Sequence, residues 1–273
     1  MAPEVEQVFR EGRLAHVAVV SARGPHVTPE LYAWSDGRLW FWFAHTTLKA
    51  RVLAATPQAA ALVTAGGRTG IVTGTVDLID VRRPTTLLGT PARGLRAVRA
   101  LGGYATRNAS DLGAFARDLG TGRLGWRPPA TRVLASLQPH KWAAAEDDRV
   151  TGSDGLADMA SDRPPIHPPA AGGETVVVAF PGPNVVPGRW FADDGVVWVD
   201  PSLLDSLGVG RRTPIAVVAD QYVAPGPAAK IGTLLRGSAV RRGTGGSLQV
   251  EADTLTWWDG IATETSRSGA SER

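Results

Sequence analysis

Apolar residues fall on one helical face from Glu4 to Arg13, where Val5, Val8 and Phe9 share a side and Gly12 closes the run, so the spacing predicts a short helix. The pattern then changes to β-branched and aromatic residues over Leu14–Val20, His26–Trp34 and Arg38–Phe43. Arg23-Gly24 and Ser35-Asp36-Gly37 supply turn chemistry between these runs, which therefore read as an antiparallel meander. Helical spacing returns from Thr47 to Ala55 through Leu48, Val52 and Leu53, and Thr56-Pro57 stops it. Two strands follow, in AAALVTA and GIVTGTVDLIDV. Between Pro84 and Gly120 the texture becomes Ala, Leu, Arg and Gly with helical spacing, as in LRAVRALGGY and DLGAFARDL, which predicts two helices inserted before the strand Thr131–Pro139. Either a lid or a brace suits such an insertion.

The second half repeats the first in order. Glu174–Phe180 answers the first strand, and Gly182–Val199 aligns without a gap to Gly24–Phe41, sharing Gly, Pro, Val, Pro, Asp, Gly and Trp. RTPIAVVAD answers ATPQAAALVTA on their common Thr-Pro, and LLRGSAVRR answers IVTGTVDLI on Gly237 and Gly74. The helical insertion has no counterpart there; RRGTGGSLQVEADTLTWWDG passes from strand to strand through a glycine turn. Three blocks in one order predict a duplicated unit.

Length agrees with this division, since 273 residues exceed one ordinary domain and allow two of roughly 130 each. We expect a first domain over residues 1–146 with its insertion at about 84–120, and a linker over 147–173, where RPPIHPP and small polar residues leave little to bury. A second, degenerate domain over 174–265 and a disordered tail over 266–273 complete the expectation. No cysteine is present, which excludes disulfides, thiolate metal sites, iron–sulfur clusters and cysteine nucleophiles. A net charge of +3 is too small for wholesale nucleic-acid binding, and the pairs Arg82-Arg83, Arg211-Arg212 and Arg241-Arg242 read as solvated strand ends or, alternatively, as phosphate or anion contacts. No apolar run approaches the roughly 20 residues of a membrane span, and MAPEVEQVFREGR is charged where a secretory signal is apolar. The expectation is a cytoplasmic protein with a small-molecule substrate and neither nucleic-acid nor membrane partners.

The stretch from Leu14 to Asp80, LAHVAVVSARGPHVTPELYAWSDGRLWFWFAHTTLKARVLAATPQAAALV followed by GIVTGTVDLID, resembles the pyridoxamine 5′-phosphate oxidase-like family of flavin-binding split barrels. HTTLKARVLAATP is its most specific part. The resemblance implies six-stranded barrels that pair as homodimers, with a flavin in each of two clefts at the interface. Applied to a duplicated chain, it implies a mainly β fold with a few helices, an α+β arrangement of two six-stranded antiparallel split β-barrels packed as an intramolecular pseudo-dimer, monomeric as a chain. A tether makes such pairing intramolecular, with an effective concentration in roughly the millimolar range. The second half resembles the family more weakly.

A flavin phosphate needs hydroxyls, backbone amides and a cation, and a helix start offers the amides. In HTTLKAR, Thr46 or Thr47 can cap the helix and offer a hydroxyl, and Lys49 and Arg51 lie within about its first turn. The resemblance places phosphate contacts on Thr46, Thr47, Lys49 and Arg51, and runs Val27, Thr28, Pro29 and Glu30 along the isoalloxazine ring through backbone groups. The second copy has Asp200 and Asp205 where the cations stood, so its cleft is expected to be empty or altered. Trp190, Trp257 and Trp258 can serve as an aromatic wall or as core filler.

GTGRLG, Gly120–Gly125, matches a dinucleotide fingerprint in letters, but it follows a helical segment and precedes WRPPA, so it reads as a loop. His16, His26, His45, His140 and His167 lack zinc spacing, and no metal site is expected. Some members of the fold bind haem, for which His26 or His45 is the available ligand. Two function classes result. One is an oxidoreductase that uses FMN, or the deazaflavin F420, for hydride transfer, with no catalytic side chain required. The other is a non-catalytic flavin- or haem-binding protein, or one without cofactor. The colour of the purified protein separates them.

Overall fold

The structure, a computed structural model, describes residues 1–80, 91–122, 131–146, 174–193, 196–201, 210–222, 224–226, 230–241, 247–260 and 262–267. The expected linker, with His167, lies outside these residues. The chain divides into two compact units, Met1–Val19 with Pro29–Glu146, and Val20–Thr28 with Asp147–Arg273. Among the described residues no helix is long and apolar enough to cross a membrane.

From the N-terminus the helix α1 (Pro3–Glu11) precedes β1 (Leu14–Ser21), β2 (Gly24–Ser35) and β3 (Arg38–Ala44), all of the first unit except Val20–Thr28. The helix α2 (Leu48–Ala55) leads to β4 (Gln58–Ala65) and β5 (Arg68–Asp80), α3 (Pro91–Arg107) and α4 (Ala109–Thr121) follow, and β6 (Arg132–Glu146) ends the unit. The strands close into a six-stranded barrel in the order β1-β2-β3-β6-β5-β4. Neighbours around it, such as β2 with β3 and β5 with β6, are antiparallel. Alternation decides what fills the barrel. Tyr32, Leu39, Phe41, Phe43, Val72 and Leu137 point inward, and α1 adds Val5, Val8 and Phe9 to the same core. Pro at the start of α1, Glu4 and Glu6 in its first turn and Arg10 in its last all favour a helix there.

β6 runs past Pro139, where the sequence pattern ends it. Proline is tolerated because the β5/β6 register shifts between Thr73 and Gly74, and Pro139 faces Gly74 at that bulge.

The inserted helices brace the barrel wall. α3 lays Ala97, Ala100 and Tyr104 on the outward residues Leu31, Ala33, Trp40, Ile79 and Leu134, with Tyr104 edge-on to Trp42 at 6.1 Å between centroids. Arg107, the last residue of α3, donates to the carbonyls of Arg10 at 2.6 Å and of Gly12, and its guanidinium lies 4.8 Å from the Tyr32 ring centroid. The Tyr32 hydroxyl lies 2.8 Å from the Phe9 carbonyl oxygen and 3.0 Å from that of Gly12, donating to one at a time. Arg107 and Tyr32 thereby satisfy the Phe9 and Arg10 carbonyls near the end of α1.

Burial pushes the phenols of Tyr32 and Tyr104 well above their ordinary range; Arg107 opposes this at Tyr32, and the charge of Glu30 adds to it at Tyr104. Above about pH 10 the unfolded chain ionises these groups while the folded chain does not, so their contribution is whole below that pH and is lost as pH rises, at about 1.4 kcal/mol per unit for each tyrosine. Thermal melts of the parent should therefore fall steeply between about pH 10 and 11, and Tyr104→Phe should remove one tyrosine's share of that slope. An unchanged slope would dismiss the assignment.

The second unit contains β7 (Glu174–Phe180), β8 (Asn184–Asp193), β9 (Val196–Pro201), β10 (Arg212–Tyr222), β11 (Lys230–Arg241), β12 (Leu248–Asp259) and β13 (Ala262–Arg267). They form a seven-stranded sheet ordered β11-β10-β7-β8-β9-β12-β13, with a further pairing of β11 to β12. Its registers repeat those of the first unit. Tyr32 faces Phe41 and Trp190 faces Val199, the pairs that an ungapped hairpin alignment makes equivalent. Leu39 faces Leu137 as Val197 faces Val250. The β11/β12 register shifts between Arg236 and Gly237, at the glycine that aligns with Gly74.

One strand corrects the sequence alignment. Ala59 faces Gly74 and Ile215 faces Gly237, so Ile215 is the counterpart of Ala59 rather than Gln58. The shared Thr-Pro misleads because Thr213-Pro214 belongs to β10, whereas Thr56-Pro57 precedes β4. Ser266 and Arg267, expected in a tail, are the last residues of β13 and face Leu255 and Thr254.

Candidate functional site

The start of α2 is set by a local hydroxyl. Thr47, in an extended conformation, is the N-cap: its oxygen accepts from the Ala50 amide at 3.2 Å, and its hydroxyl donates to the Ala44 carbonyl at 2.9 Å. This resolves the choice between Thr46 and Thr47 as the cap. Thr46 and Arg51 are exposed on either side of that start.

Lys49 takes the opposite direction. The buried face of α2 consists of Lys49, Ala50 and Leu53, residues that share a helical side, so packing Ala50 and Leu53 into the barrel core carries the lysine inward with them. Its side chain is only 4% exposed and forms an ion pair with the Glu30 carboxylate, which is 26% exposed. The ammonium also lies 5.1 Å from the Phe43 ring centroid, within cation–π range. Glu30 reaches it because it shares strand parity with Tyr32, whose side chain faces the barrel interior.

The structure therefore brings two of the candidate residues, Glu30 and Lys49, into direct contact and gathers Thr46, Thr47 and Arg51 around the α2 start. Along β2 it separates the others by face. Val27 and Pro29 are buried, while Thr28 and Glu30 alternate with them and are partly exposed. The residue pattern offers Glu30 and Lys49 as two separate ligand contacts and does not reveal their pairing. The available signal was an acid at an inward parity on β2 together with a cation on the apolar face of α2.

Trp190 is wholly buried in the second unit, and Trp258 is half-buried beside Gly232, whose missing Cβ would lie 2.6 Å from its ring. Trp190 thus acts as core filler in its own unit. The His45 ring nitrogen Nδ1 is hydrogen-bonded to the Thr131 hydroxyl. Among the described residues no three His, Asp or Glu side chains converge as metal ligands. Gly120 and Thr121 form the end of α4, and Gly122 caps it in the left-handed region at φ 61°. The rest of GTGRLG, the Asp200 side chain and Asp205 lie outside the described residues.

No protein-family model matches the chain, and no curated protein matches it. Solved structures similar to part of it include a FAD-binding protein from Mesorhizobium loti, 18% identical with a TM-score of 0.37, covering 53% of this chain and 93% of its own. An F420 reductase is 21% identical with a TM-score of 0.36, covering 52% and 98%. The haem storage protein of Vibrio cholerae is 16% identical with a TM-score of 0.35, covering 53% and 92%.

Proposed function

We propose that this chain carries two copies of one split barrel, and that the first binds a flavin-type cofactor, FMN or F420, for hydride transfer to or from a small molecule. The observation that supports it most is the closed barrel with α2 capped by Thr47 between β3 and β4, the element order on which the family resemblance rests. The repeated registers, including the glycine bulge at Gly74 and Gly237, support the duplication.

The residues fit such a cofactor unevenly. Thr46 and Arg51 stand exposed at a helix start, where amide groups and the helix dipole favour a phosphate. Lys49 reaches a phosphate only by exchanging Glu30 for it, because its charge is already countered. The β2 backbone from Val27 to Glu30 is the edge offered to the ring. When bound, the cofactor supplies the two-electron chemistry; the protein's part is to orient the ring and exclude water.

Titrating the apo chain with FMN, F420 and riboflavin, followed by tryptophan quenching, tests this reading. Saturable binding of FMN or F420, weakened about tenfold or more by Arg51→Ala, is the expected result. No binding of any of the three would end it. The countered charge of Lys49 favours a second reading, a barrel that holds a ligand without a phosphate group and without turnover. In that case riboflavin would bind as tightly as FMN.

A further inference from the structure

The first unit has a cleft of about 470 Å³. Its walls are the β2–β3 turn, the start of β3, the early part of α3, and β6 at its bulge. Arg38, Arg96 and Arg99 line it, with Asp36 as the sole carboxylate among its lining residues. Among the lining residues, three guanidinium groups against one carboxylate leave a surplus of two positive charges.

How each arginine is held separates this cleft from an ordinary solvated helix face. Arg38 is oriented by neutral partners: Nη2 donates to Gln138 Oε1 at 2.9 Å and Nη1 to the buried Ser136 hydroxyl at 3.3 Å. These bonds fix its plane without cancelling its charge. Arg99 makes a loose pair with Asp36 at 3.6 Å, with the arginine side chain 71% exposed, so little is lost when that pair opens. Arg96 makes no ion pair among the described residues. The charges thus come from a strand and a helix brought together by the insertion, and they converge on one space.

Leu95 and Pro139 add apolar surface to the walls. Leu95 is 68% exposed on α3 and lines the cleft together with Pro139, which the β6 bulge places there. Asp36 and Gly37 have φ of 52° and 70°, the paired left-handed residues of a tight hairpin turn, so they need no functional explanation.

We propose that this cleft binds a small organic phosphate monoester, its phosphate held by Arg38, Arg96 and Arg99 and its organic part lying on Leu95 and Pro139. The charge count selects the ligand class. A surplus of two positive charges among the lining residues matches the phosphate dianion, guanidinium groups bind its oxygens in bidentate fashion, and a monocarboxylate leaves one charge unmet. The site is separate from the α2 start and does not depend on the cofactor reading.

Calorimetric titration of the full chain with phenyl phosphate, inorganic phosphate and benzoate tests it. Phenyl phosphate should bind at least about tenfold more tightly than benzoate, and also more tightly than inorganic phosphate. Arg96→Ala, which removes no hydrogen bond among the described residues, should weaken phenyl phosphate binding about tenfold or more, as should Arg38→Ala. Asp36→Asn, tolerated in the left-handed region, should tighten it, a gain that a purely structural role does not produce. Binding unaffected by Arg96→Ala, or abolished by Arg51→Ala instead, would overturn the assignment, as would benzoate binding as tightly as phenyl phosphate.

Discussion

Gly74→Ala lowers the melting temperature by roughly 10 °C or more, a loss on the order of 4 kcal/mol. A Cβ on Gly74 would stand 1.8 Å from the Gln138 carbonyl oxygen, 2.7 Å from its carbon and 3.1 Å from Pro139 Cα. All three are backbone atoms, so no side chain can turn aside. Relief requires β5 and β6 to separate at the bulge, and that pair joins the two longest strands of the barrel. Gly237→Ala meets the same obstacle, 2.0 Å from the Glu251 carbonyl oxygen, and should cost about as much. Gly102→Ala is the control: on α3 its Cβ meets nothing within 4 Å, so the substitution should stabilise by up to about 1 kcal/mol. Thermal melts followed by circular dichroism read all three. A Gly74→Ala protein melting within a degree or two of the parent would show that the bulge is not this tight.

Breaking the Lys49–Glu30 pair has the second largest expected effect, and its two halves are unequal. Glu30→Gln takes the carboxylate away from an ammonium that is 4% exposed, whereas Lys49→Met leaves a carboxylate that is 26% exposed and still partly hydrated. We therefore expect about 3 kcal/mol for Glu30→Gln and about half that for Lys49→Met. Replacing both, with Leu and Met, should restore most of the stability, since an apolar pair in the same space carries no desolvation cost. A cycle of single and double variants in urea measures the coupling. Additive losses would mean that the contact is incidental. The same variants bear on the cofactor. If Lys49 joins a phosphate site when released, Glu30→Gln should raise the preference for FMN over riboflavin; if Lys49 only holds the barrel end, that preference should not change.

Local chemistry made much of the chain legible. Val5, Val8 and Phe9 marked α1, and Asp36-Gly37 marked a tight turn that the backbone forms with left-handed residues. The likeness of Gly182–Val199 to Gly24–Phe41 was visible because turn and strand residues are constrained by backbone geometry wherever they occur. Cofactor candidates were legible at the level of residue type and spacing only. Side-chain direction depends on what the other face of the element must bury, and the apolar face of α2 pulled Lys49 away from solvent. Pro139 misled for a related reason, because whether a proline ends a strand depends on the partner across from it.

From the residue pattern alone followed the strands, their turns and the first helices, because each rests on interactions between near neighbours in the chain. Tertiary structure decided the rest: the closure of the first six strands, the seating of the insertion on the outer wall, the pairing of Glu30 with Lys49, and the meeting of Arg38 with Arg96 and Arg99. These join residues far apart in sequence, and no local preference encodes which distant side chains come to share a space once the apolar faces are buried.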